Sequence, residues 1–101
     1  MADRQKMTGK EIEQRLLALS GWSVANGKLH KEFRFTDFAH AFAFMTGGAL
    51  IAERMNHHPE WSNIYNKVIV DLTTHDAGGI TGFDMEFAAR LEQLLTLKSV
   101  A

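Results

Sequence analysis

The chain contains no cysteine. That absence removes disulfides, thiolate nucleophiles and thiolate-held zinc together, and it fits a reducing compartment. Charge of a single sign is lacking too: 11 Lys and Arg stand against 12 Asp and Glu, a formal net charge of -1. No broad field attracts a phosphate backbone or an anionic membrane, so neither direct nucleic-acid binding nor membrane binding is expected. The longest apolar-rich stretch, Phe38 to Ala52, is broken by His40, Thr46, Gly47 and Gly48. It is not a spanning segment, and the N-terminus has no apolar signal-peptide region, so residence in the cytoplasm is the expectation. Repeats, low-complexity tracts and linkers are also missing. With 101 residues, 46% of them hydrophobic, the sequence predicts one domain over residues 1–101, with 1–7 a loose polar tail. A core this small favours self-association as a further source of stability, and a homo-oligomer is expected.

The local patterns are readable. Thr8 and Glu11 have capping-box spacing, and Ile12, Leu16 and Leu19 follow on one helical face, predicting a first helix over Thr8–Ser20. Trp22 and Val24 alternate toward Asn26-Gly27, a pair suited to a type I′ turn, and Leu29, Phe33 and Phe35 continue the alternation, so a hairpin is expected. Thr36 or Asp37 can cap a second helix to about Asn56, with Phe38, Ala41, Phe42, Met45, Ala49, Ala52 and Met55 as its apolar stripe. Gly47-Gly48 inside that stripe predicts a close packing contact. Pro59 disfavours helix at His58. A short strand over Glu60–Ile64 is expected to return into a half-buried strand carrying Val68, Val70 and Leu72 on one side and Ile69, Asp71 and Thr73 on the other. Gly78-Gly79 predicts a turn, Thr81 a cap, and Phe83, Phe87, Leu91, Leu94 and Leu95 a last amphipathic helix.

Chemistry concentrates in two places, Glu53-Arg54-Met55-Asn56-His57-His58-Pro59-Glu60-Trp61 and Thr73-Thr74-His75-Asp76, which hold three of the five histidines. Both lie at element ends, where rigid scaffolds display functional groups. An imidazole with its ordinary pKa of about 6.5 can accept a proton while another donates near neutrality. Because the chain turns at Pro59, the two adjacent rings should project in different directions. Trp61 offers a flat wall for a bicyclic ring, and Glu53 could orient a histidine. His30 and His40 read as ordinary strand and helix residues.

The run E-R-M-N-H-H-P-E-W, followed by S-N-I-Y-N-K-V and then L-T-T-H-D-A-G-G-I-T, resembles the signature of the pterin-4a-carbinolamine dehydratases. The close match covers about residues 50–82. This resemblance implies an α+β fold, a four-stranded antiparallel sheet with three helices packed on one face, assembling as dimers or tetramers. It implies a small-molecule pterin substrate, the 4a-hydroxytetrahydropterin released by aromatic amino-acid hydroxylases, dehydrated to quinonoid dihydropterin in tetrahydrobiopterin recycling. Carried over by position, His57, His58 and His75 are catalytic, Glu53 and Trp61 are pocket residues, and Asn56, Thr73, Thr74 and Asp76 hold the pterin. Two positions depart from the pattern. Asn56 stands where some relatives carry aspartate, so no proton transfer is assigned to it. Phe83 stands where some carry a basic residue before the acidic position matched by Asp84, which leaves the start of the last helix without an assigned part in binding.

Two other readings compete. Three histidines with Asp76 could ligate a metal, since imidazole suits zinc, copper, iron and nickel. The spacing lacks a helical H-x-x-x-H pair, and neither metal nor other cofactor is expected. Some relatives of the family also bind a homeodomain transcription factor through the helical surface that otherwise builds the tetramer. A dimerisation or coactivator-type interaction module is therefore the alternative from a different class.

Overall fold

The computed structural model describes residues 4–96. Eight elements follow one another: α1 (Gly9–Leu16), β1 (Ser23–Ala25), β2 (Lys28–Arg34), α2 (Phe38–Met55), β3 (Glu60–Ile64), β4 (Lys67–Leu72), a 3₁₀ turn (His75–Ala77) and α3 (Gly82–Thr96). The four strands form one antiparallel sheet in the order β1-β2-β4-β3. This is the expected α+β architecture.

Each boundary has a local cause. Thr8 accepts from the Glu11 N–H while Glu11 accepts from the Thr8 N–H, so the capping box forms. α1 stops earlier than expected because Leu17, Ala18 and Leu19 donate three residues back, to Gln14, Arg15 and Leu16, which tightens the chain into turns. The β1–β2 turn places Asn26 at φ 54 and Gly27 at φ 75, the geometry a type I′ hairpin requires. Asp37 caps α2 by accepting from the His40 N–H at 2.8 Å. The β3–β4 reversal is centred on Tyr65 and Asn66, with Asn63 Nδ2 donating to the Tyr65 and Lys67 carbonyls and Asn66 Nδ2 to that of Phe35.

One face of the sheet carries the core. Leu29, Phe33, Val68, Val70 and Leu72 meet Ala41, Phe44 and Ala52 from α2 and Met85, Phe87, Ala88 and Leu91 from α3. Full burial of such a side chain contributes about 1.5–3 kcal/mol. Trp22 closes one end, its indole N–H donating to Glu92 on α3 at 2.8 Å. Gly47-Gly48 makes the predicted close approach: a Cβ on Gly48 would lie 2.8 Å from Trp61 Cζ3, and one on Gly47 would lie 2.9 Å from Leu94 Cδ1.

The inward stripe of α2 differs from the expected one. Ala41, Phe44, Gly48 and Ala52 are buried, whereas Phe38, Phe42 and Ala49 face outward. Because α2 is apolar almost all round, its three- and four-residue spacing fits more than one face. Residues 4–7 are not loose: the Met7 N–H donates to the Ile80 carbonyl at 2.8 Å, and the Lys6 stem lies against Gly79. Residues 1–3 lie outside the described part. No helix among the described residues is long and apolar enough to cross a membrane.

Candidate functional site

At its C-terminal end α2 reverses rather than fading out. Asn56 takes the left-handed conformation, φ 51 and ψ 46, which asparagine tolerates better than most residues. The His57 N–H then reaches back to the Ala52 carbonyl at 3.1 Å. This cap turns His57 under the helix end. Pro59 keeps the residue before it extended, so His58 leaves in another direction. The two rings do diverge, and the reversal begins at Asn56, before Pro59.

His57 points at the first turn of α3. Its Nε2 lies 2.6 Å from Asp84 Oδ1, within hydrogen-bond distance. Asp84 is fully buried, yet its other oxygen accepts from the Thr81 N–H at 2.9 Å and the Thr74 hydroxyl at 2.8 Å. Thr81 in turn sits 2.8 Å from the Thr74 hydroxyl and accepts from the Phe83 N–H. Every partner in this small network is therefore spoken for. Phe83 lies tilted beside His57 at 5.8 Å and Phe87 meets its edge at 6.3 Å.

The other two imidazoles each have a carboxylate as well. His58 Nε2 is 3.2 Å from Glu53 Oε1, and His75 Nε2 is 3.3 Å from Glu60 Oε2. Side-chain exposure rises from 12% at His57 to 60% at His58 and 80% at His75. One ring is thus held in a protein interior, while two stand in the mouth of the site.

These rings line a single cleft of about 270 Å³ with Arg4, Asn56, Thr73, Thr74 and Asp76. His75, distant in sequence, is brought together with the adjacent pair His57 and His58. Two expected pocket residues stand apart from this lining. Glu53 is reached only through His58. Trp61 pairs with Val70 on the core face of the sheet, its six-membered ring against Gly48 of α2. Thr74 lines the cleft, but its hydroxyl is committed to Asp84 and Thr81. A larger groove of about 650 Å³ runs between α2 and α3, lined by Ile51, Arg54, Glu86, Ala89, Arg90, Gln93 and Leu94. It holds no imidazole, and chemistry rather than size distinguishes the smaller cleft. Among the described residues no three of His, Asp and Glu are arranged to hold a metal ion.

Sequence reasoning missed Arg4, Glu60 and Asp84. Arg4 enters the lining from the N-terminal segment, its guanidinium 4.8 Å over the Phe83 ring. The Thr81-x-x-Asp84 spacing, that of a capping box with aspartate in the acidic position, was the available signal for Asp84. The start of α3, left without a part by the Phe83 departure, contributes through Asp84 and Phe83.

Comparison with known proteins identifies the family. The family model described as pterin 4 alpha carbinolamine dehydratase matches residues 5–94. A relative from Solibacter usitatus, named as a pterin-4-alpha-carbinolamine dehydratase, is 58% identical over 89 residues, covering 88% of this chain and 94% of its own. One of the same name from Sulfurisphaera tokodaii is 49% identical over 92 residues, covering 91% and 99%. A crystal structure from Brucella melitensis, described as a transcriptional coactivator/pterin dehydratase, superposes with a TM-score of 0.86 at 40% identity, over 89% of this chain and 98% of that one.

Proposed function

The chain belongs to the pterin 4 alpha carbinolamine dehydratase family, a family of hydro-lyases, and from that premise we propose that the histidine cleft dehydrates a 4a-hydroxytetrahydropterin to the quinonoid dihydropterin. The C4a–O bond breaks as the hydroxyl takes up a proton and leaves as water. Loss of the N5 hydrogen supplies the electron pair for the new N5=C4a double bond. One acid and one base balance the reaction.

His57 is the base in this reading. With Nε2 engaged by Asp84, Nδ1 is the ring nitrogen left to accept the N5 proton, and the buried carboxylate stabilises the imidazolium that forms. His58 or His75, both at the solvent side, donates to the departing hydroxyl. Glu53 steadies His58. Asn56, Thr73 and Asp76 offer donors and acceptors to the polar edge of the heterocycle, and Thr74 supports them by fixing Asp84. Acid–base assistance of this kind contributes about 10² to 10⁴ in rate. Such an activity serves the recycling of tetrahydrobiopterin behind an aromatic amino-acid hydroxylase.

The observation that carries the reading is the convergence of His57, His58 and His75 on one cleft. A spectroscopic assay with freshly generated 4a-hydroxytetrahydropterin tests it. Wild-type protein should accelerate loss of water, and alanine at each histidine should lower the rate while the circular dichroism spectrum is kept. Unchanged rates in all three variants would end the proposal.

A second reading concerns assembly. Phe38 and Phe42, whose rings lie 5.7 Å apart, and Leu50 are exposed along the outer side of α2. Exposed apolar side chains of this kind support self-association, and we assign this side of α2 to a homo-oligomer contact that a coactivator-type partner could also use. Phe42→Lys should lower the mass found by sedimentation; an unchanged mass would rule the face out.

A further inference from the structure

We propose that Glu60 is a positioning residue for His75 and that Lys28 divides its charge, so that β2 and β3 together set how readily the most exposed imidazole of the cleft holds its proton. The inference rests on the acid–base reading of the site and extends it to residues that touch no substrate.

Glu60 follows Pro59 directly and opens β3 on the sheet face turned away from the helices. Its two oxygens serve different partners. Oε2 lies 3.3 Å from His75 Nε2, while Oε1 is bonded by Lys28 Nζ from β2. The carboxyl is held below its ordinary value, first by the Lys28 hydrogen bond and to a smaller degree by His75. Glu60 is thus an anion throughout the working range of an enzyme near neutrality.

The neighbours restrict who else can compete. Asp71 stands opposite Glu60 in register, but its Oδ1 is 2.8 Å from His30 Nδ1. That pairing keeps Asp71 largely engaged, although it still acts on Lys28 at longer range. Among the described residues, the other charged or titratable groups that line the cleft with His75 are Asp76 beside it and Arg4, His57 and His58. Of these groups, Glu60 is the one within ion-pair distance of the His75 ring.

The arrangement makes opposite consequences for two substitutions at one site. Glu60→Gln removes the anion, so imidazolium at position 75 loses its partner. Lys28→Met leaves the anion and removes the cation that shared it, so the full charge of Glu60 falls on His75. A purely structural ion pair would instead make both variants change alike.

The test is a proton NMR titration of the His75 Cε1–H resonance, identified by its loss in H75Q, alongside pH–rate profiles for wild type, E60Q, K28M and E60D. The midpoint for His75 should fall by about half a pH unit in E60Q and rise by a similar amount in K28M. E60D should stay near wild type, and both shifts should shrink in high salt. In the rate profiles the limb that belongs to His75 should follow the same signs. Shifts of one sign, or none in either variant, would overturn the linkage. The NMR result does not depend on turnover: opposite shifts without dehydration in wild type would sink the reaction reading alone, and dehydration without shifts would sink the linkage alone.

Discussion

Nε2 of His57 lies 2.6 Å from Oδ1 of Asp84, and the carboxylate at the far end of that bond has no exposed surface. A buried carboxyl group with three hydrogen-bond partners around it is both a catalytic support and a structural commitment. Asp84→Asn and Asp84→Ala separate the two roles. The amide keeps the shape and can still accept, so its fold should survive, but it cannot stabilise an imidazolium at position 57. We expect D84N to lose about 10²-fold or more in kcat with a modest change in Tm. Alanine also strands the Thr81 N–H, at about 1–3 kcal/mol for a buried group left unpaired, while the Thr74 hydroxyl keeps Thr81 Oγ1 as a partner. D84A should therefore be visibly destabilised by urea titration as well as inactive.

Arg4 offers a different signature. Its guanidinium lies over Phe83 and lines the cleft without bonding any of the three imidazoles, so it is placed to hold substrate rather than to move a proton. A cation over the half-buried Phe83 ring contributes about 0.5–1 kcal/mol, and stability should barely change on its removal. Arg4→Ala should raise KM about tenfold with kcat nearly kept, and Arg4→Lys should fall between, because the planar fork is lost but the charge remains. Steady-state kinetics decide; a drop in kcat at constant KM would contradict the assignment.

The cap of α2 predicts an acid sensitivity. Asp37 is held below its ordinary carboxylate value of 3.8 by the His40 N–H first and the His40 ring second. A depressed folded-state pKa means that its stabilisation is complete above the unfolded value and is lost as pH falls through the folded one. The gap in Tm between wild type and Asp37→Ala should hold steady from neutrality down to about pH 5 and close progressively below pH 4. A gap that persists at pH 2 would mean that the cap is not electrostatic.

Much of this architecture was legible because several signals agreed at each point. The Thr8–Glu11 box, the Asn26-Gly27 turn, the β4 alternation and the reversal near Pro59 all involve residues that act on their immediate neighbours. What stayed hidden depends on distance. Phe42 and Phe44 both suit a helix that is apolar on nearly every side, and only the packed sheet selects Phe44 for the core. Trp61 follows the histidine pair closely, yet strand parity sends its ring to the opposite face, against Gly48. Arg4 reaches the cleft because Met7 is tied to Ile80, a contact no local spacing announces. The grouping of His75 with His57 and His58 followed from resemblance; periodicity alone left it open.

The same Gly48–Trp61 contact yields a stability prediction in which two effects oppose each other. Replacing a mid-helix glycine by alanine gains about 1 kcal/mol of helix propensity. At Gly48 the added Cβ would meet Trp61 at 2.8 Å and Leu91 at 3.1 Å, and a rigid indole locked between sheet and helix cannot step aside. Overpacking of this kind costs about 1–3 kcal/mol, so Gly48→Ala should be less stable than wild type by about 1 kcal/mol in urea denaturation. Gly47 provides the control. Its added Cβ would meet Leu94 Cδ1 at 2.9 Å, the end of a flexible side chain near the end of α3, and a rotamer change relieves the clash. Gly47→Ala should therefore be neutral or slightly stabilising. In a Trp61→Phe background, where the six-membered ring no longer reaches as far, the Gly48→Ala penalty should shrink. An equal penalty with and without the indole would mean that something other than this contact requires glycine at position 48.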